Sequence, residues 1–314
     1  MPASSTARHA AALGPVAAVS VLAHVLLIGF QGEAGQLTLL AVSWTIALTG
    51  LNFVQGIAGY PSLAQASFFG GGAYLSAILL DHGLPAALAA ALAVGGTMLA
   101  GLVVGLVFSR TRGQYFAIGT MFFTAVTTLV FTNAADWTGG PDGRPVGLGF
   151  PLDTTLLLLA GSLGLGLAAF HLLAGTRFGA RLRAVREDED LAQHLGVPTA
   201  RVKLVAIVVS AGFGAWAGVL FAQYNGVVAP SQFTFVQSFL MFVAIGIGGA
   251  GRLFAPLVGS VLVLGLTQLV NFGPGVSQIV LGAVFIAVTL VAPHGVLGVL
   301  GALWDRIRTK AVTA

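Results

Sequence analysis

Long apolar runs, separated by short polar connections, follow one another along almost the whole chain. Crossing a bilayer as a helix takes about 20 predominantly apolar residues. The runs cover residues 13–30, 36–54, 62–80, 85–108, 114–131, 154–174, 204–222, 236–249, 253–270 and 276–292. Only 8% of the residues are charged, whereas soluble domains carry about 25%. The pattern predicts an all-α polytopic membrane protein of about ten transmembrane helices.

The charges in the connections predict the orientation of this bundle. If the N-terminus is inside, the inward connections hold Arg110, Arg112, the charged residues from Arg177 to Lys203, Arg252, Arg306, Arg308 and Lys310. The outward connections hold Glu33, Asp81, Asp136, Asp142 and Asp153, with Arg144 as the basic residue. Because cytoplasmic loops are enriched in Lys and Arg, both termini are predicted to be cytoplasmic. The expected organisation is a tail at 1–12, one transmembrane domain at 13–304 and a second tail at 305–314.

The first apolar run raises the question of a signal peptide. It is followed by Gly32-Glu33-Ala34, which resembles a cleavage site with small residues on either side. A run of 18 apolar residues is nevertheless long enough to cross a bilayer. We therefore expect an uncleaved first span, and a cleaved one would leave the other spans in the same orientation.

One strongly polar segment, residues 176–203, interrupts the apolar pattern. It holds six of the 14 Lys and Arg residues and four of the ten Asp and Glu residues. A helix is predicted at 181–195, ending before Gly196 at the position where positive φ favours glycine. Its charged candidates are Arg181, Arg183, Arg186, Glu187, Asp188, Glu189 and Asp190, with the four carboxylates on one turn and Arg186 facing Asp190. This two-signed surface suits docking of a partner, and a solvated juxtamembrane loop is the alternative.

The sequence offers little for chemistry inside the membrane. It has no cysteine, no HExxH, no GxSxG and no phosphate-binding loop. His24 and His171 lie within spans, where a histidine more often makes a helix contact than ligates a metal. The spans also lack an Asp or Glu for proton coupling. These features argue against an enzyme and a proton-driven transporter, and they favour a permease powered by ATP hydrolysis on another chain.

Neutral polar residues within the spans are the candidates for a solute path. They are Asn52, Gln55, Gln65, Ser67, Tyr74, Thr120 and Thr124. The alternative is that they bond other helices or their own backbone carbonyls. Glycines 70–72 also allow two interpretations. Either another helix packs directly against them, or the third span breaks there.

A turn-rich connection lies between the fifth and sixth spans. It reads WTGGPDGRPV, with Gly139, Gly140, Asp142 and Gly143 in tight turns. The connection is predicted to face outward. Both a docking loop and an ordinary turn are compatible with it.

Several of these stretches together resemble the M-type permeases of branched-chain amino-acid ABC importers. The matching stretches, within residues 50–300, are GYPSLAQASFFGGGAYLSA, RGQYFAIGTMFF, TGGPDG, FGARLRAVREDEDLAQHLGVPTARVKLVAIVVSAGFGAWAG and GGAGRLFAPLVGS. The polar segment resembles the family's ATPase-coupling loop, with Asp190, Ala192 and Gly196 in the motif places and Leu191 replacing an alanine. Gln114 stands where the family has an acidic residue. By resemblance, the turn-rich connection contacts a binding protein.

The resemblance implies an inner-membrane permease that imports branched-chain or other hydrophobic amino acids by alternating access. Its expected partners are a homologous permease, two cytoplasmic ATP-binding subunits and a periplasmic solute-binding protein, with no nucleic acid. ATP and magnesium are expected on the partner subunits, and no cofactor on this chain. A permease for urea or short amides is one alternative, and a membrane scaffold or integral-membrane enzyme is another. Gly196→Pro, or charge reversal at 187–190, is expected to abolish transport while leaving membrane insertion intact.

Overall fold

The structure is a computed structural model that describes residues 5–30, 32–147, 149–269, 282–283, 286 and 295–299. The helices are α1 (Ser5–Gly29), α2 (Glu33–Leu51), α3 (Gln65–Asp81), α4 (Ala86–Phe108), α5 (Gln114–Asn133), α6 (Ala135–Thr138), α7 (Leu152–Gly175), α8 (Arg177–Glu187), α9 (Glu189–His194), α10 (Thr199–Asn225), α11 (Phe235–Gly248) and α12 (Ala255–Leu269). A π-helical turn, Asn52–Ile57, continues α2, and 3₁₀ turns occupy Gly140–Asp142 and Pro230–Phe233. Two short strands, β1 (Arg144–Pro145) and β2 (Val227–Val228), pair antiparallel.

The predicted all-α membrane class is confirmed over the described residues. Five helices there are long and apolar enough to cross a membrane, namely Glu33–Ile57, Ala86–Phe108, Gln114–Asn133, Leu152–Gly175 and Thr199–Asn225. Shorter apolar helices lie at Leu13–Gly29, Phe235–Gly248 and Ala255–Gln268. The predicted tenth span at 276–292, apart from residues 282, 283 and 286, and the tail at 305–314 lie outside the described residues.

Helix α10 lies at the centre of the bundle, in contact with α2, α3, α4 and α7. Glycines allow it to approach α3 at backbone distance. A Cβ at Gly72 would lie 2.1 Å from the Ala215 carbonyl oxygen, and one at Gly218 would lie 1.9 Å from the Phe69 carbonyl oxygen. Small residues at such crossings give membrane helices their van der Waals contact. Helix α3 is continuous through residues 70–72, so the packing interpretation of these glycines is confirmed.

The bundle has two ends of different chemistry. The charged end comprises the α4–α5 connection, helices α8 and α9, the start of α10 and the loop after α11, with Arg110, Arg112, Lys203 and Arg252 among its residues. The opposite end comprises the starts of α2 and α7, the ends of α3 and α10, and the pair β1–β2. Along α10, Lys203 and Asn225 are about 33 Å apart, since a helix rises about 1.5 Å per residue.

Candidate functional site

Helices α8 and α9 form a bent polar segment that packs on the charged end of the bundle. Thr176 begins α8 by accepting a hydrogen bond from the Phe178 backbone N–H at 3.2 Å. Leu182, Val185 and Ala192 are buried in a cluster that also contains Phe53. The charged side chains Arg181, Arg183, Glu187 and Asp188 are exposed on the other side. The segment therefore has one face packed on the bundle and one exposed, charged face.

The predicted continuous helix at 181–195 is wrong, because Asp188 ends one helix and begins the next. Its backbone is extended, with φ −158° and ψ 109°, and its carboxylate accepts the Leu191 backbone N–H at 2.9 Å. A short acidic side chain favours this N-cap position over a helix interior. The four carboxylates therefore do not share one turn, and Arg186 does not pair with Asp190.

The end of α9 agrees with the sequence prediction. Gly196 has φ +83°, where a side chain would be strained. The Gly196 backbone N–H bonds the Gln193 carbonyl, and the Val197 N–H bonds the Ala192 carbonyl, each at 3.0 Å. These bonds satisfy the last carbonyls of the helix and turn the chain into α10.

A partly buried ionic group, the Glu189 cluster (Tyr60, Arg112, Glu189, Asp190 and Lys203), joins α9 to the bundle. The Lys203 ammonium, only 3% exposed, lies 2.7 Å from one Glu189 carboxylate oxygen, and the Tyr60 hydroxyl donates to the other. Arg112 lies 3.8 Å from Glu189 and 2.7 Å from Asp190. Lys203 also donates to the Thr111 carbonyl at 3.2 Å. The α2–α3 loop, the α4–α5 loop, α9 and α10 therefore meet at one carboxylate.

The surroundings of Tyr60 in this cluster keep its phenol in the neutral form. Burial, the hydrogen bond to Glu189 and the negative charge of that carboxylate raise the pKa of the Tyr60 phenol above its usual range. The phenol therefore stays a proton donor to Glu189. The Lys203 ammonium also lies 4.5 Å from the centre of the Tyr60 ring, which adds a cation–π contact. Without Glu189, the ammonium would be left without a countercharge at this close range.

A second connection runs from α8 through Arg186 to the π-helical turn. The Arg186 guanidinium donates to the Gly56 carbonyl at 2.5 Å. Gly59, with φ +77°, leaves room for the arginine stem, since a Cβ there would lie 2.8 Å from Arg186 Cγ. Asn52, one turn before Gly56, bonds the loop after α11 through the Gly251 N–H at 2.8 Å and the Arg252 carbonyl at 2.9 Å. Movement of α8 would therefore displace both α2 and the α11–α12 loop.

The residues predicted for a solute path separate into two groups. Asn52, Gln65, Thr120 and Thr124 are bonded within the protein: Gln65 to the Ala47 carbonyl at 2.7 Å and to Ser210 at 2.8 Å, and Thr124 to the Leu63 carbonyl at 2.5 Å. Thr120 bonds the Phe116 carbonyl at 2.9 Å. By contrast, Ser67 Oγ and the Tyr74 hydroxyl are buried without a hydrogen-bond partner in the described structure, and Gln55 donates through Nε2 to the Phe242 carbonyl at 2.9 Å while its Oε1 has no partner there. None of the seven lines the cavity at the opposite end.

That cavity, of about 510 Å³, lies among α2, α3, α10, α11 and α12. Its polar lining residues are Glu33, Gln36, Asn225, Gln232, Gln237 and Gln268. Its apolar lining residues are Leu37, Leu39, Leu40, Trp44, Phe69 and Phe221. Sequence reasoning missed these residues because they come from five separate helices and the 3₁₀ turn Pro230–Phe233, and meet only through packing. A local signal was present only as Gln and Glu residues at span ends.

The turn-rich connection is fixed against the opposite end. Gly139, Gly140 and Gly143 have φ of +78°, +64° and +81°, as the predicted tight turns require. A Cβ at Gly143 would lie 2.4 Å from the Val228 carbonyl oxygen, because β1 pairs closely with β2. Arg144 lies 2.6 Å from Asp81, and Asp142 is exposed. The connection therefore presents a rigid surface at this end of the bundle.

No group of His, Cys, Asp and Glu arranged for a metal ion is found among the described residues. His24 Nδ1 is buried without a hydrogen-bond partner among the described residues. His171 interacts with another group of the protein. The strongest candidate features are therefore the α8–α9 surface with its Glu189 cluster, and the cavity at the opposite end.

Comparisons with known proteins agree on one kind of relative. The family model described as "Branched-chain amino acid transport system / permease component" matches residues 34–289. The chain is 30% identical to the high-affinity branched-chain amino acid transport system permease protein LivM of Escherichia coli (strain K12), over 82% of this chain and 68% of that protein. LivM of Salmonella typhimurium is 31% identical over 79% of this chain and 66% of its own length. LivH of Escherichia coli is 34% identical over 39% of this chain and 40% of its own length. No solved structure matches the chain significantly.

Proposed function

The chain belongs to the branched-chain amino acid transport permease family, and from that membership we propose that it is a membrane-spanning subunit of an ATP-driven importer for branched-chain and other hydrophobic amino acids. It is a transport component and not an enzyme. The expected site is the bacterial inner membrane, with the charged end and both termini in the cytoplasm. The enrichment of Arg and Lys at the charged end supports this orientation.

The single observation that carries the proposal is the anchoring of the α8–α9 segment. Its buried face packs through Leu182, Val185 and Ala192, while Arg181 and Glu187 remain exposed. An exposed, two-signed surface with a rigid support suits docking of an ATP-binding subunit. The same segment contacts α2 through Arg186 and α10 through Glu189. Displacement of the docked surface would therefore move transmembrane helices and not only a loop.

The proposed mechanism is alternating access driven from the charged end. ATP and magnesium act on the partner subunits, whose closure displaces α8 and α9. The Glu189–Lys203 pair transfers that displacement to α10, and the Arg186–Gly56 bond transfers it to α2. Since both helices also contribute to the cavity at the opposite end, the two ends are mechanically connected. A homologous permease completes the pathway, and a periplasmic binding protein delivers the solute near residues 137–146.

Co-purification and uptake test the proposal. The complete importer, reconstituted with its binding protein, is expected to carry ATP-hydrolysing subunits and to take up labelled leucine in preference to urea. Arg181→Glu combined with Glu187→Lys should remove both ATPase coupling and uptake, because it reverses the exposed charges that face the partner. The matched control is Asp153→Asn, an exposed change at the opposite end.

Two outcomes would contradict the proposal. An assembly that lacks any ATP-hydrolysing chain would exclude the importer. Wild-type uptake by the doubly reversed variant would show that α8 and α9 do not carry the coupling. Preferential urea uptake would keep the architecture and change the solute class.

A further inference from the structure

The cavity at the opposite end has a polar rim whose side chains are largely unused by the fold. Glu33, Gln36, Gln237 and Gln268 make no side-chain hydrogen bond or ion pair within the part of the chain that the structure describes. Gln232 accepts the Ala229 N–H at 3.1 Å, which leaves its amide N–H groups available. Asn225 donates to the Val227 carbonyl at 2.7 Å, which leaves its oxygen available. Buried polar groups are normally paired, whereas these are exposed or half-buried around an opening.

The inner part of the same cavity is lined by buried apolar side chains. Leu39, Trp44, Phe69 and Phe221 line it, and each is less than a tenth exposed. Along α2, Glu33 and Trp44 are about 16 Å apart by helix rise. The Phe69 and Phe221 rings lie 5.3 Å apart, with Phe233 packed behind them at 5.7 Å from Phe69. The cavity therefore passes from an acidic, amide-rich mouth to an aromatic floor.

We infer that this cavity is a low-affinity binding site for a zwitterionic α-amino acid with an apolar side chain. The Glu33 carboxylate suits the α-ammonium group, and the amide N–H groups of Gln36, Gln232 and Gln237 suit the α-carboxylate. The Leu40, Trp44 and Phe69 side chains suit an aliphatic side chain. A volume of about 510 Å³ lies in the range of small-molecule sites. The inference rests on the proposed function and assigns part of its solute selectivity to this chain.

The same geometry discriminates against other solutes. An acidic amino acid would bring a second carboxylate towards Glu33 or onto the apolar floor. A basic amino acid would place its side-chain cation among the apolar side chains of Leu39, Trp44 and Phe221, away from Glu33 at the mouth. Urea would use only the rim, since it has no apolar part. Binding is expected to be weak, because a site on a transport path has to release its solute.

Selectivity measurements on the complete importer in proteoliposomes test the inference. Binding protein is supplied outside, ATP inside, and initial uptake of labelled leucine and alanine is compared. Leu40→Trp is expected to lower leucine uptake relative to alanine by about tenfold, because it fills the floor that the larger side chain needs. Glu33→Gln is expected to lower uptake of both by about tenfold, because it removes the charge that faces the ammonium. Leu22→Trp, on an exposed side chain of α1, adds the same bulk outside this cavity and should leave the ratio unchanged.

The ATPase rate separates failure of the site from failure of the complex. Both cavity variants should retain ATPase activity stimulated by the binding protein, since they lie far from α8 and α9. If unmodified importer moves leucine, and Glu33→Gln and Leu40→Trp keep its rates and its leucine-to-alanine ratio, the cavity is not a solute site. If Leu40→Trp does not assemble, the near-isosteric Glu33→Gln decides, and an unchanged leucine KM overturns the inference. Absence of leucine uptake in the unmodified importer would instead refute the proposed function, and the cavity inference with it.

Discussion

The two ends of α10 use polar side chains in opposite ways. At the charged end, Lys203, Glu189 and Tyr60 bond one another, so that burial is compensated inside the chain. At the other end, Gln237 and Glu33 surround a cavity without a partner among the described residues. A fully bonded group transmits force, because moving one member displaces the rest. A group of unused donors and acceptors can instead bind a solute, as proposed for this cavity.

The largest loss of stability is expected from disrupting the Glu189 cluster at the charged end. Glu189→Ala leaves the Lys203 ammonium, 3% exposed, without its countercharge, and loss of one partner of a buried pair costs about 3–5 kcal/mol. The midpoint of thermal unfolding of the purified complex in detergent should fall, and ATP-driven uptake should be lost. Glu187→Ala is the control, because this exposed neighbour should change stability by less than about 0.5 kcal/mol. Equal shifts of the unfolding midpoint in the two variants would show that the Glu189–Lys203 pair does not stabilise the complex.

An intermediate loss of stability is expected at the contact between α3 and α10, which lies between the two ends. Gly72→Ala would put a Cβ 2.1 Å from the Ala215 carbonyl oxygen and push α3 away from α10, at about 1–3 kcal/mol for overpacking. Thermal unfolding and the yield of assembled complex measure the loss. Gly161→Ala is the matched control, since nothing lies within 4 Å of its Cβ and alanine favours a helix by about 1 kcal/mol over glycine. A stable Gly72→Ala variant would mean that α3 and α10 are not in backbone contact.

The smallest effect on stability is expected at the cavity rim. Gln237→Met removes a side chain that makes no hydrogen bond in the described structure, so the free energy of unfolding should change by less than about 0.5 kcal/mol. Leucine uptake should nevertheless fall, because one amide donor for the carboxylate is gone. Gln232→Met is the contrasting variant, since it also loses the bond to the Ala229 N–H and should cost about 1 kcal/mol. If Gln237→Met lowered the free energy of unfolding as much as Gln232→Met or more, there would be no distinction between bonded and unbonded rim groups.

Local sequence signals predicted the features that depend on neighbouring residues. The apolar runs gave the helices, because a chain in a bilayer has to satisfy its backbone internally. Glycine followed by proline after 181–195 predicted the turn at Gly196, where φ is +83°. The same local reasoning failed at Asp188, since helix periodicity carries no information on which acidic residue will cap a second helix. The charged run at 187–190 therefore looked like one surface, whereas Glu189 is 14% exposed and Asp190 is 64% exposed.

The sequence by itself determined a helical membrane protein, the separation of its charges and the place of its polar segment. Only the tertiary structure decided that Glu189 meets Lys203, that Asn52 bonds Gly251, and that Glu33 and Phe221 share one cavity. The physical reason is distance along the chain. Hydrophobicity and turn preference act over a few residues, whereas these pairings join residues 14, 199 and 188 positions apart through the packing of helices around α10.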